Sequence, residues 1–527
     1  MIIAERVEIG ILFRNNNNAK GEQEDEPMDV AVENSQDMDS ETRYFDVLII
    51  GAGISGIDAA YHLQKLCPNK SFALLEAQDT FGGTWATHKY PGIRSDSDLF
   101  TFGFKWKPWK DDPIATADKI LRYLDESLDE NDLRRHIRFS SEVKSARWSS
   151  EQARWTLEVL DKETGAIRRY ECNFLWMCQG YYRHSEGYMP DYPGAEDFKG
   201  EIIHPQTWPE DLDYTGKEVV VIGSGATAAT LIPAMAGKAG HITMLQRSPT
   251  YFSARANRDE LAETLRELDV PDEWVHEIAR RKVLFDQKEI TRRSFEEPEG
   301  LREELIKGAQ KYLGDSVPVD PHFTPTYRPW RQRLAFVPDG DLFQAIRKGE
   351  ASVVTDQIDH FTESGILLTS GKELKADIII SATGFNMSVL GDIDFTIDDQ
   401  PLNFGDCWSH RAIMFSSVPN MAWVFGYLRT SWTMRSDMVA EFVCRLMKHM
   451  AQKGAKMVVP ALREEDRDMP EKPFVDPENF NAGYLTRALK LMPKQGDRDP
   501  WVHTQDYYVD KDTIATADLD DGTLIYK

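Results

Sequence analysis

Two glycine-rich turns constrain the fold of this chain more than any other feature. The turn GAGISG follows the apolar run YFDVLII, and the turn GSGATA follows KEVVVI; a stretch with helical spacing comes after each. In such a unit the first glycine permits a tight turn, and the second lets a phosphate approach the backbone. The helix that follows offers free N–H groups to the anion. Two such units predict an α/β protein with two Rossmann-like dinucleotide-binding domains.

The first unit has the full G-x-G-x-x-G spacing, with Gly51, Gly53 and Gly56. Its second strand, FALLE, ends at Glu76. A carboxylate at that end is placed to accept a hydrogen bond from a ribose hydroxyl. A paired glycine later in FGGTW (81–85) and the sequence SATGF (381–385) after a late strand resemble the pattern of flavoproteins that bind two dinucleotides. That resemblance implies FAD in the first site.

The second unit has Gly223 and Gly225, with Ala228 in the third position. Its second strand ends in Gln246, Arg247 and Ser248, without an acid. An arginine at this point suits a 2′-phosphate, which a carboxylate would repel. The second site therefore predicts NADPH rather than NADH. The alternative is that Arg247 is only a solvated surface charge.

The composition excludes several other classes of protein. The chain of 527 residues has a formal charge of -25, which argues against nucleic-acid binding. Its five cysteines are scattered, and no pair has the spacing of a redox disulfide or a zinc site, so we predict no metal site and incidental thiols. The uncharged run 219–237 predicts strand, turn and helix rather than a membrane segment, and the start of the chain lacks the basic flank of a signal peptide. These features predict a cytoplasmic enzyme.

The order of the patterns along the chain predicts a domain division. Residues 1–43 are acidic, poor in apolar residues and without period, so we expect a disordered tail. Residues 44–197 form the first part of the FAD-binding domain, and residues 198–254 and 331–380 form the NADPH-binding domain. Residues 255–330 have helical, charged patterns and are predicted as a helical insertion. Residues 381–527 complete the FAD-binding domain and contribute the substrate-pocket region.

A third pattern lies between the two nucleotide units. The sequence FKGEIIHPQTWP (198–209) matches F-x-G-x-x-x-H-x-x-x-W-P at every fixed position. It resembles the signature of type I (class B) Baeyer–Villiger flavin monooxygenases, whose N- and S-oxygenating relatives usually carry Tyr or Phe at the position of Trp208. The segments KYPGIRSDSD, MLQRSPTY and QRLAFVPDGDLF resemble the subgroup that includes the bacterial ethionamide monooxygenase. The resemblance extends from about Tyr44 into the C-terminal region.

The resemblance implies a reaction and the residues that carry it. NADPH reduces FAD, O₂ then forms a C4a-peroxyflavin, and attack on a ketone gives an ester or lactone, with sulfide or thioamide oxygenation as a side activity. Arg333 matches the family arginine that stabilises the peroxyflavin, and Asp96 matches the aspartate that positions this arginine. Arg331, two residues earlier, is predicted as a surface charge. The expected partners are a small ketone or sulfide and O₂.

The resemblance also implies cofactor contacts. Trp85 and Arg94 are expected near the nicotinamide, while His204 and Trp208 couple nicotinamide binding to domain position. Gln332 stands where many family members carry a lysine for the 2′-phosphate, which places more weight on Arg247. The further residues expected at the two cofactor sites are Gly83, Thr84, Val143, Ser224, Thr227, Ser248, Thr383 and Gly384.

Three alternatives remain open from the sequence. The first is an N- or S-oxygenating flavin monooxygenase of the same fold. A pyridine nucleotide–disulfide reductase is disfavoured because no redox cysteine pair follows Gly56. A binding protein that has lost its flavin is disfavoured by the second nucleotide unit and by Arg333.

The aromatic segment 426–438 is either a wall of the substrate pocket or a strand-to-helix connection in the core.

Overall fold

The computed structural model describes residues 42–315 and 317–527. Most of the acidic tail predicted at 1–43 lies outside the described residues. The helices of the described chain are α1 (Ile54–Leu66), α2 (Thr84–Thr87), α3 (Leu99–Phe102), α4 (Ala117–Glu130), α5 (Ala226–Met235), α6 (Glu260–Glu267), α7 (Asp272–Glu296), α8 (Pro298–Leu313), α9 (Asp341–Arg347), α10 (Thr433–Lys453), α11 (Gly483–Ala488) and α12 (Tyr507–Thr513).

The first glycine turn belongs to a nine-stranded mixed sheet. In spatial order its strands are Gln400–Pro401, Asp394–Ile397, Ser141–Ser149, Arg154–Asp161, Ile167–Met177, Arg43–Ile50, Phe72–Leu75 and Ile137–Arg138, and Met421–Trp423 pairs with Ile167–Met177. Ile50 aligns in parallel with Leu75 and with Met177, so these three strands end together. Ligands of open α/β sheets bind at such carboxyl ends.

The strand Ile167–Met177 has three neighbours. Its first half pairs antiparallel with Arg154–Asp161, and its last residues pair in parallel with Met421–Trp423. Its other edge pairs in parallel with Arg43–Ile50. The chain therefore returns to the first sheet after building the second one.

The second glycine turn belongs to a five-stranded, wholly parallel sheet. Its strands, in spatial order, are Ala351–Thr355, His241–Gln246, Glu218–Ile222, Ile378–Ser381 and Glu201–Ile203. The uncharged run 219–237 is thus a strand and α5, as the sequence predicts. Among the described residues, every helix is too short or too polar to span a lipid bilayer.

The strands that lead into the two glycine turns, Arg43–Ile50 and Glu218–Ile222, are covered on both faces, which is why each ends in a continuous apolar run rather than an alternating one. In the first sheet Val47 and Ile49 pack with α1 on one face, while Leu48 and Ile50 pack on the opposite face. All four side chains are buried. Helices α6, α7 and α8 occupy the segment that the sequence predicts as helical.

Short strands complete the fold. They pair as Tyr182–Gly187 with Phe385–Met387, Phe252–Arg255 with Ala335–Pro338, Ser409–His410 with Met414–Phe415, Val458–Pro460 with Leu524–Tyr526, and Lys472–Pro473 with Lys494–Gln495, beside a three-stranded sheet of Ile358–Thr362, Gly365–Leu368 and Glu373–Lys375.

Candidate active site and cofactor sites

The first glycine turn is closed by backbone contacts that leave no room for side chains. A Cβ built on Gly56 would lie 1.9 Å from the carbonyl oxygen of Gly51. Gly51 itself has a φ of +99°, a conformation that favours glycine. The close packing of α1 on its strand therefore requires glycine at the third position of the turn.

The second position of the turn faces another glycine. A Cβ on Gly53 would lie 3.6 Å from the Cα of Gly83, which has a φ of +54° and precedes α2. Two facing backbones without side chains leave N–H groups accessible beside the N-terminus of α1. This cradle fits the pyrophosphate of a dinucleotide.

Glu76 lies at the end of the second strand, beside the turn. Its carboxylate accepts hydrogen bonds from the backbone N–H of Ala52 (2.7 Å) and of Gln78 (2.8 Å). Burial raises the pKa of Glu76, and these backbone donors oppose that rise. The carboxylate is thus fixed at the point where a ribose would lie.

The second glycine turn is also closed by backbone contacts, but the space beside its second glycine is open. Gly223, with a φ of +124°, packs its backbone against the carbonyl oxygen of Ala382, while a Cβ on Gly225 would meet no atom within 4 Å. Ala228 takes the third position and is fully buried. Ser224 is fixed by a 2.9 Å hydrogen bond with the hydroxyl of Thr250. The open space beside Gly225 fits a second pyrophosphate.

Arg247 and Ser248 are exposed beyond the end of the second strand of this unit. The strand end is held by Gln246, whose amide donates to the carbonyl oxygen of His322 (2.7 Å) and to the hydroxyl of Thr355 (2.9 Å). Arg247 has no carboxylate within 4.0 Å in the part of the chain that the structure describes. The guanidinium of Arg247 is therefore available to a phosphate. Gln332, the other residue predicted at this site, is half-buried.

His204 connects the signature segment to the SATGF loop. Its Nε2 lies 2.9 Å from the carbonyl oxygen of Gly384, and its Nδ1 accepts the backbone N–H of Gln206 at 3.1 Å. Because Nδ1 accepts an N–H, the ring proton lies on Nε2, and burial lowers the pKa of His204. Gly187 packs directly against the ring, where a Cβ would clash. Trp208 packs half-buried against the core of the second sheet.

Arg333 and Asp96 form an ion pair with two hydrogen bonds. The distances from Nε to Oδ2 and from Nη2 to Oδ1 are both 2.6 Å. The Arg333 side chain is 35% exposed and that of Asp96 is 20% exposed, so the pair is reachable from solvent. Burial opposes the charge, but the Asp96 carboxylate outweighs it and raises the pKa of Arg333 well above its ordinary value. A permanent, oriented cation results.

Three tyrosines beside this pair were not predicted from the sequence. The hydroxyl of Tyr181 donates to that of Tyr182 at 2.9 Å, and the rings of Tyr181 and Tyr484 are 6.1 Å apart. Burial raises the pKa of all three phenols, while the charge of Arg333 partly opposes the rise. The signal was available, because Tyr181 and Tyr182 follow the carboxyl end of a parallel strand.

The first part of the aromatic segment 426–438 connects the strand Met421–Trp423 to α10, and residues 433–438 form the start of that helix. Within the first part, Tyr427 and Leu428 are buried. Trp432 reaches the first glycine turn, because its indole N–H donates to the hydroxyl of Ser55 at 2.7 Å. The same indole stacks on Tyr181 at 4.9 Å. One segment therefore links the first turn to the tyrosines.

The remaining predicted positions are spread around these centres. Arg94 forms an ion pair with Asp341 at the start of α9, with Nη2 3.2 Å from Oδ1. Trp85 lies edge-on to Phe102 at 5.7 Å. Thr84 lies at the start of α2, Val143 is buried in its strand, and Thr227 lies in α5. The hydroxyl of Thr383 donates to the carbonyl oxygen of Tyr188 at 2.8 Å.

A buried cluster of charged groups lies where α1 packs on α10. His62 Nε2 is 3.4 Å from a carboxylate oxygen of Asp58 and 3.4 Å from one of Asp437. These three side chains could offer metal ligands. However, Arg280 binds the other oxygen of Asp437 at 3.2 Å, and the Trp106 indole donates to Asp58 at 3.0 Å. Arg280 and a protonated His62 can therefore balance the charge of the two carboxylates.

Comparison with known proteins agrees with this geometry. The family model described as flavin-binding monooxygenase-like matches residues 103–262, and the NAD(P)-binding Rossmann-like domain matches residues 49–111. The chain is 46% identical to the probable FAD-binding monooxygenase AlmA of Acinetobacter sp over 91% of this chain and 95% of that protein. It is 45% identical to the FAD-containing monooxygenase EthA of Mycobacterium tuberculosis, over 92% of this chain and 98% of that one.

The chain belongs to the flavin-binding monooxygenase-like family. Two solved structures share the fold of this flavin monooxygenase. Oxidized steroid monooxygenase bound to NADP matches with a TM-score of 0.69 at 20% identity, over 92% of this chain and 99% of that chain. Cyclohexanone monooxygenase from Rhodococcus sp. Phi1 bound to NADP+ matches with a TM-score of 0.66 at 22% identity, over 81% of this chain and 88% of that chain.

These findings confirm the α/β fold and the expected cofactors. The protein is an oxidoreductase that uses FAD and NADP(H). The two glycine cradles are consistent with that conclusion, since each leaves backbone N–H groups free beside a helix N-terminus.

Proposed function

We propose that this flavin monooxygenase inserts one oxygen atom of O₂ beside a ketone carbonyl. The products would be an ester or lactone, NADP⁺ and water, with NADPH and one proton as co-reactants. The observation that carries the proposal is the two-point ion pair of Arg333 and Asp96, partly open to solvent and flanked by half-buried tyrosines. Bound FAD supplies the transfer of electrons from NADPH to O₂.

Arg333 is assigned the role of a fixed positive charge. Negative charge develops on oxygen during this reaction, and a preorganised cation in a partly water-excluded site stabilises it. Arginine is suited to this role because its guanidinium stays protonated. The carboxylate of Asp96 holds two of its nitrogens, which fixes the plane of the guanidinium. Asp96 therefore positions Arg333.

The cofactor residues are assigned by the cradles described above. Gly53, Gly56 and Glu76 would hold FAD, and Gly225 and Arg247 would hold NADPH, with Arg247 at the 2′-phosphate. His204 would transmit the position of the second sheet to the SATGF loop through its hydrogen bond to Gly384. With the cofactors assigned in this way, we also propose the division into domains. Residues 44–197 and 381–527 would form the FAD-binding domain, residues 198–254 and 331–380 the NADPH-binding domain, and residues 255–330 the helical insertion.

Oxygenation of sulfur or nitrogen is a second candidate. It is favoured by the match of residues 103–262 to the flavin-binding monooxygenase-like family. Both reactions use the same cofactors, so the cofactor sites do not distinguish them. The discriminating feature is whether a ketone carbonyl or a soft heteroatom is held beside Arg333.

The test supplies the FAD-loaded protein with NADPH, ¹⁸O₂ and either a ketone or a sulfide, and identifies the products by mass spectrometry. An ester carrying one ¹⁸O atom, lost in Arg333→Ala, supports oxygen insertion beside the carbonyl. If the sulfide gives a labelled sulfoxide and a panel of linear, cyclic and aromatic ketones gives no ester, oxygenation of sulfur or nitrogen replaces the ketone reaction as the proposed function. NADPH consumption that yields only hydrogen peroxide with both substrates would contradict both candidates.

A further inference from the structure

The three tyrosines beside Arg333 differ in how their hydroxyl groups are bonded. Tyr181 and Tyr182 are partners, because the hydroxyl of Tyr181 donates to that of Tyr182 at 2.9 Å. The hydroxyl oxygen of Tyr484 is buried and has no hydrogen-bond partner among residues 42–315 and 317–527. Burying a hydroxyl without a partner is unfavourable, so a ligand atom that completes the bond is the natural explanation.

Tyr484 is held beside the Arg333 segment by the start of α11. The backbone N–H of Asn481, just before α11, donates to the carbonyl oxygen of Arg331 at 2.9 Å. This bond fixes the first turn of α11, which contains Tyr484, next to the segment that carries Arg333. The phenol and the guanidinium are near enough for each to shift the pKa of the other. The unpartnered hydroxyl therefore lies in the site to which we assign the reaction.

The aromatic rings around Tyr484 link it to the first glycine turn and to the SATGF loop. Its ring centroid is 6.1 Å from that of Tyr181 and 6.0 Å from that of Tyr182. Tyr181 stacks on Trp432, whose indole bonds the first glycine turn. Tyr182 lies 4.4 Å from the ring of Phe385, the last residue of SATGF. The ring of Tyr484 is thus held by neighbours that belong to the cofactor units.

Both Tyr484 and Arg333 keep a hydrogen to donate. Burial raises the pKa of Tyr484 well above its ordinary value, so the phenol is protonated at neutral pH. Asp96 accepts from Nε and Nη2 of Arg333, while Nη1 makes no hydrogen bond within the part of the chain that the structure describes. A carbonyl oxygen has two lone pairs, whereas a thioether sulfur is a weak acceptor. These two donors therefore suit one carbonyl oxygen.

We propose that Tyr484 donates a hydrogen bond to the carbonyl oxygen of the ketone substrate, alongside Nη1 of Arg333. This inference rests on the proposed insertion of oxygen beside a ketone carbonyl. Negative charge gathers on the carbonyl oxygen when the carbonyl carbon is attacked, and a preorganised O–H donor stabilises it. Tyr484 favours a ketone over a sulfide, since a sulfide has no carbonyl oxygen to receive the bond.

The first test uses Tyr484→Phe, which keeps the ring and removes only the hydroxyl. The FAD-loaded proteins oxidise benzylacetone or methyl phenethyl sulfide, which carry a carbonyl group or a sulfur atom between the same phenethyl and methyl groups. In the variant kcat/KM for the ketone should fall by roughly 10- to 100-fold. For the sulfide it should change by less than about twofold. Equal losses on both substrates, or an unchanged rate with the ketone, would overturn the proposal.

A binding experiment detects the hydrogen bond without turnover. The oxidised, FAD-loaded protein binds benzylacetone labelled with ¹³C at the carbonyl, and isotope-edited infrared difference spectra give its C=O stretching frequency. Because a hydrogen bond lowers this frequency, the band of the bound ketone should move up in Tyr484→Phe and in Arg333→Ala. A band that stays in place in Tyr484→Phe contradicts the proposal. Weaker retention of FAD with an unmoved band would assign the hydroxyl to the cofactor instead.

The two measurements separate this inference from the proposed function. If the wild type forms ester but the band does not move in Tyr484→Phe, the role of Tyr484 is rejected and the function stands. If the band moves but the wild type forms only sulfoxide, the hydrogen bond stands and the function is rejected. A wild-type protein that shows no band of bound ketone would overturn the inference.

Tyr312→Phe is the matched control. Its half-buried ring lies in α8 and packs against Gly340, so both rates and the infrared band should match those of the wild type. Thermal unfolding supplies a further control. Since the hydroxyl of Tyr484 has no partner in the described chain, its removal should leave the melting temperature unchanged or higher. A lower melting temperature together with equal losses on both substrates would indicate a structural role for Tyr484.

Discussion

The guanidinium of Arg333 and the carboxylate of Asp96 meet in two parallel hydrogen bonds of 2.6 Å, although the two residues are 237 positions apart in the chain. Asp96 comes from the segment that follows α2, and Arg333 from the segment before α9. Each therefore reaches the pair from a different part of the fold. The orientation of the cation depends on how these two parts are held together.

Replacing Arg333 with alanine should lower kcat for oxygenation by on the order of 10²–10³-fold, because a preorganised charge is lost. Asp96→Asn keeps the shape of the side chain but removes its charge, so a smaller loss of kcat in the same direction is expected. Steady-state product formation measures both effects, and the absorbance of bound FAD confirms that the variants are loaded.

Arg331→Ala is the matched control for that experiment. Its side chain is 40% exposed and its contact with Glu478 is long, at 3.7 Å. Product formation should remain close to the wild-type rate. Equal losses in Arg331→Ala and Arg333→Ala would show that the effect is not specific to the paired guanidinium.

Arg247→Ala should raise KM for NADPH by roughly 10- to 100-fold, since a hydrogen-bonded charge contact contributes about 1.5–3 kcal/mol. KM for NADH should change much less, because NADH has no 2′-phosphate. Initial rates with the two nucleotides give the ratio directly. Arg122→Ala, an exposed arginine on α4, serves as the control and should leave the ratio unchanged. An equal rise in KM for both nucleotides would show that Arg247 does not contact the 2′-phosphate.

The two glycine turns predict opposite consequences for the same substitution. Gly56→Ala places a Cβ 1.9 Å from the carbonyl oxygen of Gly51, so the first unit cannot close and soluble, FAD-loaded protein should be lost. Gly225→Ala meets no protein atom within 4 Å, so folding and FAD content should be retained. The added methyl group fills the space assigned to the pyrophosphate and should raise KM for NADPH. FAD content and thermal unfolding distinguish the two outcomes.

Either of two results would contradict these expectations. If Gly225→Ala bound NADPH with an unchanged KM, the open space beside this glycine would not be the phosphate cradle. If Gly56→Ala accumulated with full FAD content, the close packing of α1 on its strand would not be a requirement of the fold.

His62 predicts a pH dependence of stability. Burial alone would lower its pKa, but Asp58 and Asp437 raise it to about 10, above the ordinary value of 6.5. Because the folded protein holds this proton more tightly than the unfolded chain, its contribution is complete below about pH 6.5 and is lost as the pH rises toward 10. The free energy of unfolding should fall by on the order of 2–4 kcal/mol across this window.

His62→Gln is the comparison that isolates this contribution. Denaturant unfolding at several pH values in this window should show a flatter dependence for the variant than for the wild type, since other groups titrate in both proteins. An identical slope in the two proteins would mean that His62 is neutral in the folded state, and would reopen the question of a metal ion in the cluster.

Local patterns in the sequence predicted the parts of the fold that depend on neighbouring residues. The strand–turn–helix units, the helices of 260–313 and the ends of the buried strands all follow from periodicity and glycine spacing within about 30 residues. The approach of Tyr484 to Tyr181 and Tyr182 did not, because it depends on the docking of α11 near the end of the first sheet. The contact of Cys67 with Cys444 and the pairing of Arg94 with Asp341 likewise depend on helix packing, which has no local signal.

The position of Met421–Trp423 beside Ile167–Met177 also bears on how the chain is made. All five strands of the second sheet have been synthesised by Ser381, whereas the first sheet still lacks three of its nine strands at that point, Met421–Trp423 among them. At the usual speeds of translation, the last residues of Ile167–Met177 wait roughly 10–50 s for this partner. During that interval an apolar strand edge is open on the ribosome, so the nascent protein should depend on chaperones until α10 has emerged.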